Sequence, residues 1–270
     1  MQSKETKKPT KGNDTPLVSI ITPLYNAESF IAETIQSVLN QTYANWEQII
    51  IDDASSDNSL KIAESFAAKD KRIRIESLPM NKGAAYCRNR ATELAKGNYI
   101  AFLDSDDLWH PEKLHRQLTF MEQHDCDVSY TNYLHMDEEG NPLQKRIVAL
   151  QELPYSKQHK NNYIGNLTGM YCANTLGKIP SPAIRKRQDW AVWLEAIKRS
   201  GKPARGIRED LAFYRVRRHS ISSDKTKLVR YNYRFYKDHL GYSSIRSAWN
   251  LIIFFKEYFF VRPKYIQKLK

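Results

Sequence analysis

Cysteine is scarce in this chain, and long apolar runs are absent. Its 270 residues hold three cysteines, Cys87, Cys126 and Cys172. They are odd in number, far apart and without metal-ligand spacing, which excludes a disulfide framework and a zinc site and makes a reducing compartment the expectation. No stretch approaches the roughly 18 uninterrupted apolar residues of a membrane span. Residues 1–15, MQSKETKKPTKGNDT, have no apolar h-region and read as a disordered polar tail rather than a secretory signal. There is no low-complexity tract. What remains is an ordinary globular composition, 41% hydrophobic and 27% charged, on a chain long enough for one large domain or a domain with an appendage.

The net charge of +12 points to an anionic partner such as nucleic acid, a phospholipid surface or a phosphorylated substrate. It is unevenly spread. From residue 185 onward 22 lysines and arginines face 7 acidic residues, +15, so the first 184 residues carry −3.

From Pro16 the pattern is strand then helix, repeated, which predicts a mostly parallel sheet covered by helices on both faces. Strands are expected at 18–24 (VSIITPL), 47–51 (EQIII), 72–78 and 99–103 (YIAFL), and helices at 28–40, 60–68 and 83–96. A helix at 111–124 and a strand at 127–133 follow, then a turn at Asp137-Glu-Glu-Gly-Asn. The rhythm then weakens into a helix at 188–199, a strand at 211–216 and a helical C-terminus from Asp224. Open α/β sheets bind ligands beyond the carboxyl ends of their strands.

Those ends are chemically loaded. Asp104-Ser105-Asp106-Asp107 follows the fourth strand. Two carboxylates one residue apart point the same way, an arrangement that is costly unless a divalent cation or a donor-rich ligand lies beside them. The plainer reading is that Asp-Ser-Asp-Asp caps the helix beginning near Pro111. Asp52 and Asp53 end the second strand, and Pro23-Leu-Tyr25-Asn26 ends the first. Acidic and aromatic groups from three strand ends therefore converge, suited to a base or ribose edge.

These residues resemble the family 2 glycosyltransferases, whose fold is GT-A. The resemblance is carried by VSIITPLYNAESFIAETIQSVLNQTYANWEQIIIDDASSDNSL and NKGAAYCRNRATELAKGNYIAFLDSDDLWHPEKL, in the family's order and spacing, and more loosely by RQDW at 187–190 and YRVRRHSIS at 214–222. The wording is most similar to bacterial enzymes of teichuronic acid, capsule or O-antigen synthesis.

The resemblance implies roles. Pro23, Tyr25 and Glu28 line the base pocket, Asp52 or Asp53 meets the base, Lys82 approaches the nucleotide, Asp104 and Ser105 serve the ribose side, and Asp106 binds Mn²⁺ or Mg²⁺ on the diphosphate. Asp189 is the candidate general base of an inverting transfer. The family shows Glu-Asp there, whereas Gln188 precedes Asp189 here. His219 contacts the diphosphate or the metal, or is a solvated histidine among arginines. Taken singly, Tyr25 has the alternative of a packed aromatic, Lys82 of a solvated lysine, and Asp189 of an acidic residue favoured at a helix start. Arg88 and Arg90 read as structural partners of the acidic loops. Trp109, His110 and Trp190 are either acceptor-pocket walls or core.

The expected protein is an α/β, GT-A enzyme with a catalytic domain over 16–222, its 16–115 half taking the nucleotide sugar and its 116–222 half the acceptor, and an extension over 223–270. Its activity is that of a metal-dependent, inverting glycosyltransferase of hexosyltransferase type, moving a sugar from a UDP-sugar donor to a glycan or lipid-diphosphate-linked acceptor. Within the extension, 247–265 (SAWNLIIFFKEYFFVRPKY) is basic and aromatic. It either lies on an anionic membrane surface, at the inner face of the cytoplasmic membrane, or packs on the domain. A basic nucleic-acid-binding protein and a catalytically silent nucleotide-sugar module are the rivals. The first leaves the acidic loops unexplained, and the charge, lying on the acceptor side, favours membrane or lipid diphosphate over nucleic acid.

Overall fold

A computed structural model describes residues 15–184, 186–217 and 225–269, with side chains of 225–228 excepted. The chain opens with β1 (Val18–Leu24), α1 (Ile31–Leu39), β2 (Trp46–Asp52), α2 (Ser59–Ala67), β3 (Ile73–Ser77), α3 (Ala84–Leu94) and β4 (Tyr99–Phe102). β1 and β2 are buried along their whole length, as strands sandwiched between two helical layers must be. β3, β2, β1 and β4 lie side by side and parallel. Right-handed crossover logic puts their carboxyl ends on one edge.

Next come β5 (Leu108–Trp109), α4 (Lys113–Gln123), β6 (Val128–Met136), β7 (Pro142–Ile147), β8 (Glu152–Leu153), α5 (Tyr155–Gln158), β9 (Met170–Cys172), α6 (Ala173–Leu176), α7 (Gln188–Ser200) and β10 (Ala204–Arg215). Here the sheet changes character. β9 runs antiparallel between β4 and β6, β7 extends β6 antiparallel, and β10 pairs with β6 in parallel. The weakened rhythm of the sequence corresponds to this switch, because antiparallel strands need no crossover helix. The strand expected at 211–216 starts earlier, at Ala204.

The last third holds α8 (Lys225–Arg234), α9 (Ser244–Lys256) and β11 (Ile266–Lys268). A 3-10 turn at Arg262–Tyr265 ends the helical segment, and β11 adds to the sheet edge, antiparallel to β7. The extension is therefore helical with a strand at its end. Trp190 stacks on Phe235 with centroids 4.2 Å apart and tilts against Phe254, so α7 carries the extension on its own apolar core. Among the described residues no helix is long and apolar enough to cross a membrane.

One cation sits deep in this fold. Lys113 is fully buried, donates from Nζ to Gln117 Oε1 at 2.7 Å and lies 4.2 Å from the Trp109 ring centroid. Burial pushes its amine down to about 7.

Candidate active site

The first wall is the pair of loops after β1 and β2. Tyr25 is half exposed at the strand end, so its ring is free rather than packed, while Pro23 is buried. Glu28 accepts from the backbone and side-chain nitrogens of Asn58, both at 3.0 Å, and its own amide donates to Asp57. This reciprocal clasp fixes one loop against the other. Asn26 and Ala54 both take left-handed backbone, φ 45° and 58°. Such conformations cost of order 1 kcal/mol in a non-glycine residue and gather where loops shape a binding edge.

Asp52 accepts from Ser77 Oγ at 2.9 Å, and Asp53 from the amides of Lys82 and Gly83 at 2.6 and 2.8 Å. Asp53 thus holds the start of α3 to the strand edge and places Lys82 at the rim. The Lys82 ammonium is exposed and lies over the Tyr86 ring.

The Asp104–Asp107 loop is the electrostatic centre. Asp104 Oδ1 receives Arg88 Nη2 at 2.7 Å and Asn166 Nδ2 at 3.4 Å. Burial opposes the charge on Arg88, but Asp104 and Asp189 more than offset that and hold it protonated. Burial and the neighbouring Asp104 push the Asp106 carboxyl up, although Arg217 reaches its Oδ2 at 3.4 Å. Asp107 is more deeply buried and pushed up further, with the Arg215 amide donating to its Oδ1. Ser105 and Asp107 carbonyls accept from Thr34 Oγ1, which ties the loop to α1.

The same loop recruits the second sequence motif. Arg88 donates from Nη1 to Gln188 Oε1 at 3.0 Å, so one guanidinium bridges Asp104 to the first residue of α7. Asp189 then lies in the first turn of α7, its Oδ2 accepting from Asn162 Nδ2 at 2.7 Å. Gln188 thus serves as a neutral acceptor for Arg88.

Whether a divalent cation fits can be read from these groups. The donors are hard carboxylate oxygens in excess, with Asp106 destabilised as an anion by Asp104, and such a set is relieved by Mn²⁺ or Mg²⁺. Among the described residues no three His, Cys, Asp or Glu side chains form a closed metal cage. The residues therefore fit a cation shared with oxygens of a ligand. Arg88 Nε is buried with no partner among the described residues, one donor left for such a ligand. His219 lies outside the described residues.

Other expectations sort cleanly. Arg88 is a partner of the acidic loops, but Arg90 pairs with Glu76 on β3. Trp109 is buried and donates from Nε1 to the Leu167 carbonyl, and Trp190 does so to that of Gln158, so both are core rather than pocket walls. Sequence reasoning missed Arg215, whose buried guanidinium clamps the Asp106 carbonyl and Glu33, and also Asn162 and Asn166. Arg215 stands in the YRVRRHSIS motif. The two asparagines carry no local signal.

Strand-end carboxylates tied through Arg88 to the start of an aspartate-bearing helix, on a mostly parallel sheet flanked by helices, are the arrangement expected of a GT-A glycosyltransferase. Residues 19–180 match the profile of Glycosyl transferase family 2, and the chain belongs to this family and is a glycosyltransferase. It is 43% identical over 241 residues, 89% of this chain and 95% of the relative, to TuaG of Bacillus subtilis (strain 168), named for a glycosyltransferase of teichuronic acid biosynthesis. It is 40% identical over 218 residues, covering 80% of this chain and 84% of the relative, to WfgD of Escherichia coli, named UDP-Glc:alpha-D-GlcNAc-diphosphoundecaprenol beta-1,3-glucosyltransferase. Among solved structures, residues 1–349 of S. aureus TarS with UDP-GlcNAc superpose with TM-score 0.70 at 20% identity, over 92% of this chain and 74% of that one. A mannosyltransferase of Pyrobaculum calidifontis with GDP-Man and Mn2+ gives 0.63 at 15% identity, over 90% and 74%. These two likenesses establish the shared fold.

Proposed function

We propose that this chain is a metal-dependent, inverting glycosyltransferase of bacterial surface polysaccharide synthesis. It moves a sugar from UDP to an acceptor carried on a lipid diphosphate, at the cytoplasmic face of the membrane. The observation that carries the reading is the Arg88 bridge, which ties Asp104 to Gln188, the neighbour of Asp189. The named activities of WfgD and the ligand of TarS supply the donor and acceptor classes.

In this reading residues 16–115 take the donor and 116–222 the acceptor, with 223–270 as the extension. The free Tyr25 ring lies against the base beside Pro23 and Glu28, Asp52 and Asp53 hold the base edge, and Lys82 approaches the phosphates from the rim. Asp104 and Ser105 take the ribose side. Asp106 holds Mn²⁺ or Mg²⁺, which when bound neutralises charge growing on the departing diphosphate. Asp189 accepts the proton of the acceptor hydroxyl as its oxygen bonds to the anomeric carbon. The bond from that carbon to the diphosphate oxygen breaks on the opposite face, and UDP leaves. Asn162, donating to Asp189 Oδ2, steadies the aspartate.

Asp189→Asn keeps the Asn162 contact but cannot take the proton. Transfer from UDP-glucose to a lipid-diphosphate-linked GlcNAc should fall about 10²- to 10⁴-fold. Thermal stabilisation by UDP with Mn²⁺ should be unchanged in that variant. Full turnover by the asparagine variant would refute the assignment of the base, and UDP stabilisation indifferent to chelator would refute the metal.

A further inference from the structure

The donor edge accounts for the carboxylates, yet two cations lie apart from it. Lys145 and Arg262 line a groove of about 350 Å³ between the extension and the sheet. Its floor is the stacked pair Tyr133 and His135 on β6, its sides are Lys145 of β7 and Arg262, and its lip is Tyr258 and Phe259. β11, hydrogen-bonded to β7, closes one end.

The groove is electropositive and uncompensated. Among the described residues no carboxylate pairs with Lys145 or with Arg262. Burial, and then Lys145, hold His135 down at about 4, so the imidazole is neutral and adds no third positive charge. Bringing two cations together beside aromatic walls without an anion is unfavourable unless a ligand supplies one.

The groove also touches the chemistry. Arg262 donates to the Asn162 carbonyl, and the Asn162 side chain donates to Asp189. One residue thus separates the groove from the proposed base. On the other side its lip runs into an exposed apolar ridge. Ile245, Trp249 and Ile252 recur at helical spacing on α9 and, with Phe259 and Phe260, are each at least 60% exposed. The opposite face of α9 is buried through Ser247 and Phe254. Patches of this kind on an otherwise polar surface mark a contact site.

We infer that this groove holds the acceptor's lipid-linked diphosphate, with the phosphates between Lys145 and Arg262, the sugar toward Asp189 and the hydrocarbon chain leaving over Phe259 and Phe260. The inference rests on the proposed reading and adds the acceptor's place to it. Charge complementarity selects the occupant, since the groove offers two cations at one end and aromatic surface at the other, as an amphiphile with an anionic head requires. The donor diphosphate has the carboxylate loop and its cation, so the bare cations serve a different phosphate.

Farnesyl diphosphate is a suitable probe, its binding followed by calorimetry with UDP and Mn²⁺ saturating. The wild type should bind it, and Lys145→Ala and Arg262→Ala should each weaken it about tenfold or more. UDP stabilisation should persist in both variants. Lys145→Ala carries the test alone if Arg262→Ala fails to fold, because Lys145 makes no ion pair among the described residues. Equal affinity in wild type and Lys145→Ala would overturn the site. Inorganic diphosphate binding as tightly as farnesyl diphosphate would overturn the lipid path. A wild type that ignores farnesyl diphosphate but loses phosphatidylglycerol vesicle binding on Lys145→Ala would assign the cations to membrane headgroups and overturn the acceptor site. Failure of the underlying reading looks different, as no stabilisation of the wild type by UDP or any UDP-sugar.

Discussion

The edge formed by β1, β2 and β4 and the face formed by the C-terminal segment treat charge in opposite ways. At the strand ends carboxylates crowd together and each is answered from within the chain, Asp104 by Arg88, Asp106 by Arg217 and Asp107 by the Arg215 amide. In the groove beside the C-terminal segment, Lys145 and Arg262 stand beside aromatic rings, and neither is ion-paired to a carboxylate among the described residues. In the proposed reading the difference follows from what each region meets. A phosphate that arrives with a divalent cation is held by carboxylates, whereas one that arrives without must find cations already in place.

Three substitutions probe that contrast beyond the tests above. Replacing Arg88 by Met strips the buried cation that joins Asp104 to Gln188, leaving a carboxylate without its partner. Unfolding free energy should drop by about 3–5 kcal/mol in chemical denaturation, and Mn²⁺ with UDP should restore part of it. A variant as stable as the parent would mean that the crowding at the strand ends is not held by Arg88.

Lys113→Met tests a cation buried without any counter-charge. The folded amine sits at about 7, below its ordinary 10.5. The unfolded chain therefore binds more protons across that window, and the parent should gain stability as pH rises from about 7 toward 10.5, on the order of 4 kcal/mol. Below about 7 both states are protonated and the penalty is constant. The Met variant should lack this rise in denaturant melts run across that range, and an identical slope in both proteins would show that Lys113 keeps its charge.

The smallest effect on stability is expected at Trp249. Its ring is 62% exposed, so Trp249→Ser should change unfolding free energy by no more than about 0.5 kcal/mol. Partition onto phosphatidylglycerol vesicles should nevertheless fall about tenfold. Unchanged partition would detach the apolar ridge from membrane contact and leave the two faces differing in charge alone.

Much of the fold was legible before any coordinates. β1 spans the expected 18–24, and α2, α3 and β4 fall within a residue or two of their expected limits, because alternating β-branched runs and helical stripes report burial directly. The strand-end loops were legible as well, since acidic residues just past an apolar strand have one place to go. Trp109 and Trp190 were ambiguous because a ring suits a sugar and a core equally, and only their contacts with Leu167 and Phe235 decide; no such contact sorts His110. β11 was invisible, as its three residues become a strand only by pairing with β7, some 120 residues earlier.

By itself the sequence determined the α/β order, the carboxylates at the strand ends, the separation of acidic and basic regions, and the family. These are properties of neighbours along the chain, written in periodicity and local composition. The tertiary structure alone decided that Arg88 would join Asp104 to Gln188, 84 positions further on, that Asn162 would donate to Asp189, and that Arg262 and Lys145 would line one groove. Such pairings follow from strand order and helix packing, where the partner of a charge is whichever residue the sheet brings within about 3 Å, however distant in sequence.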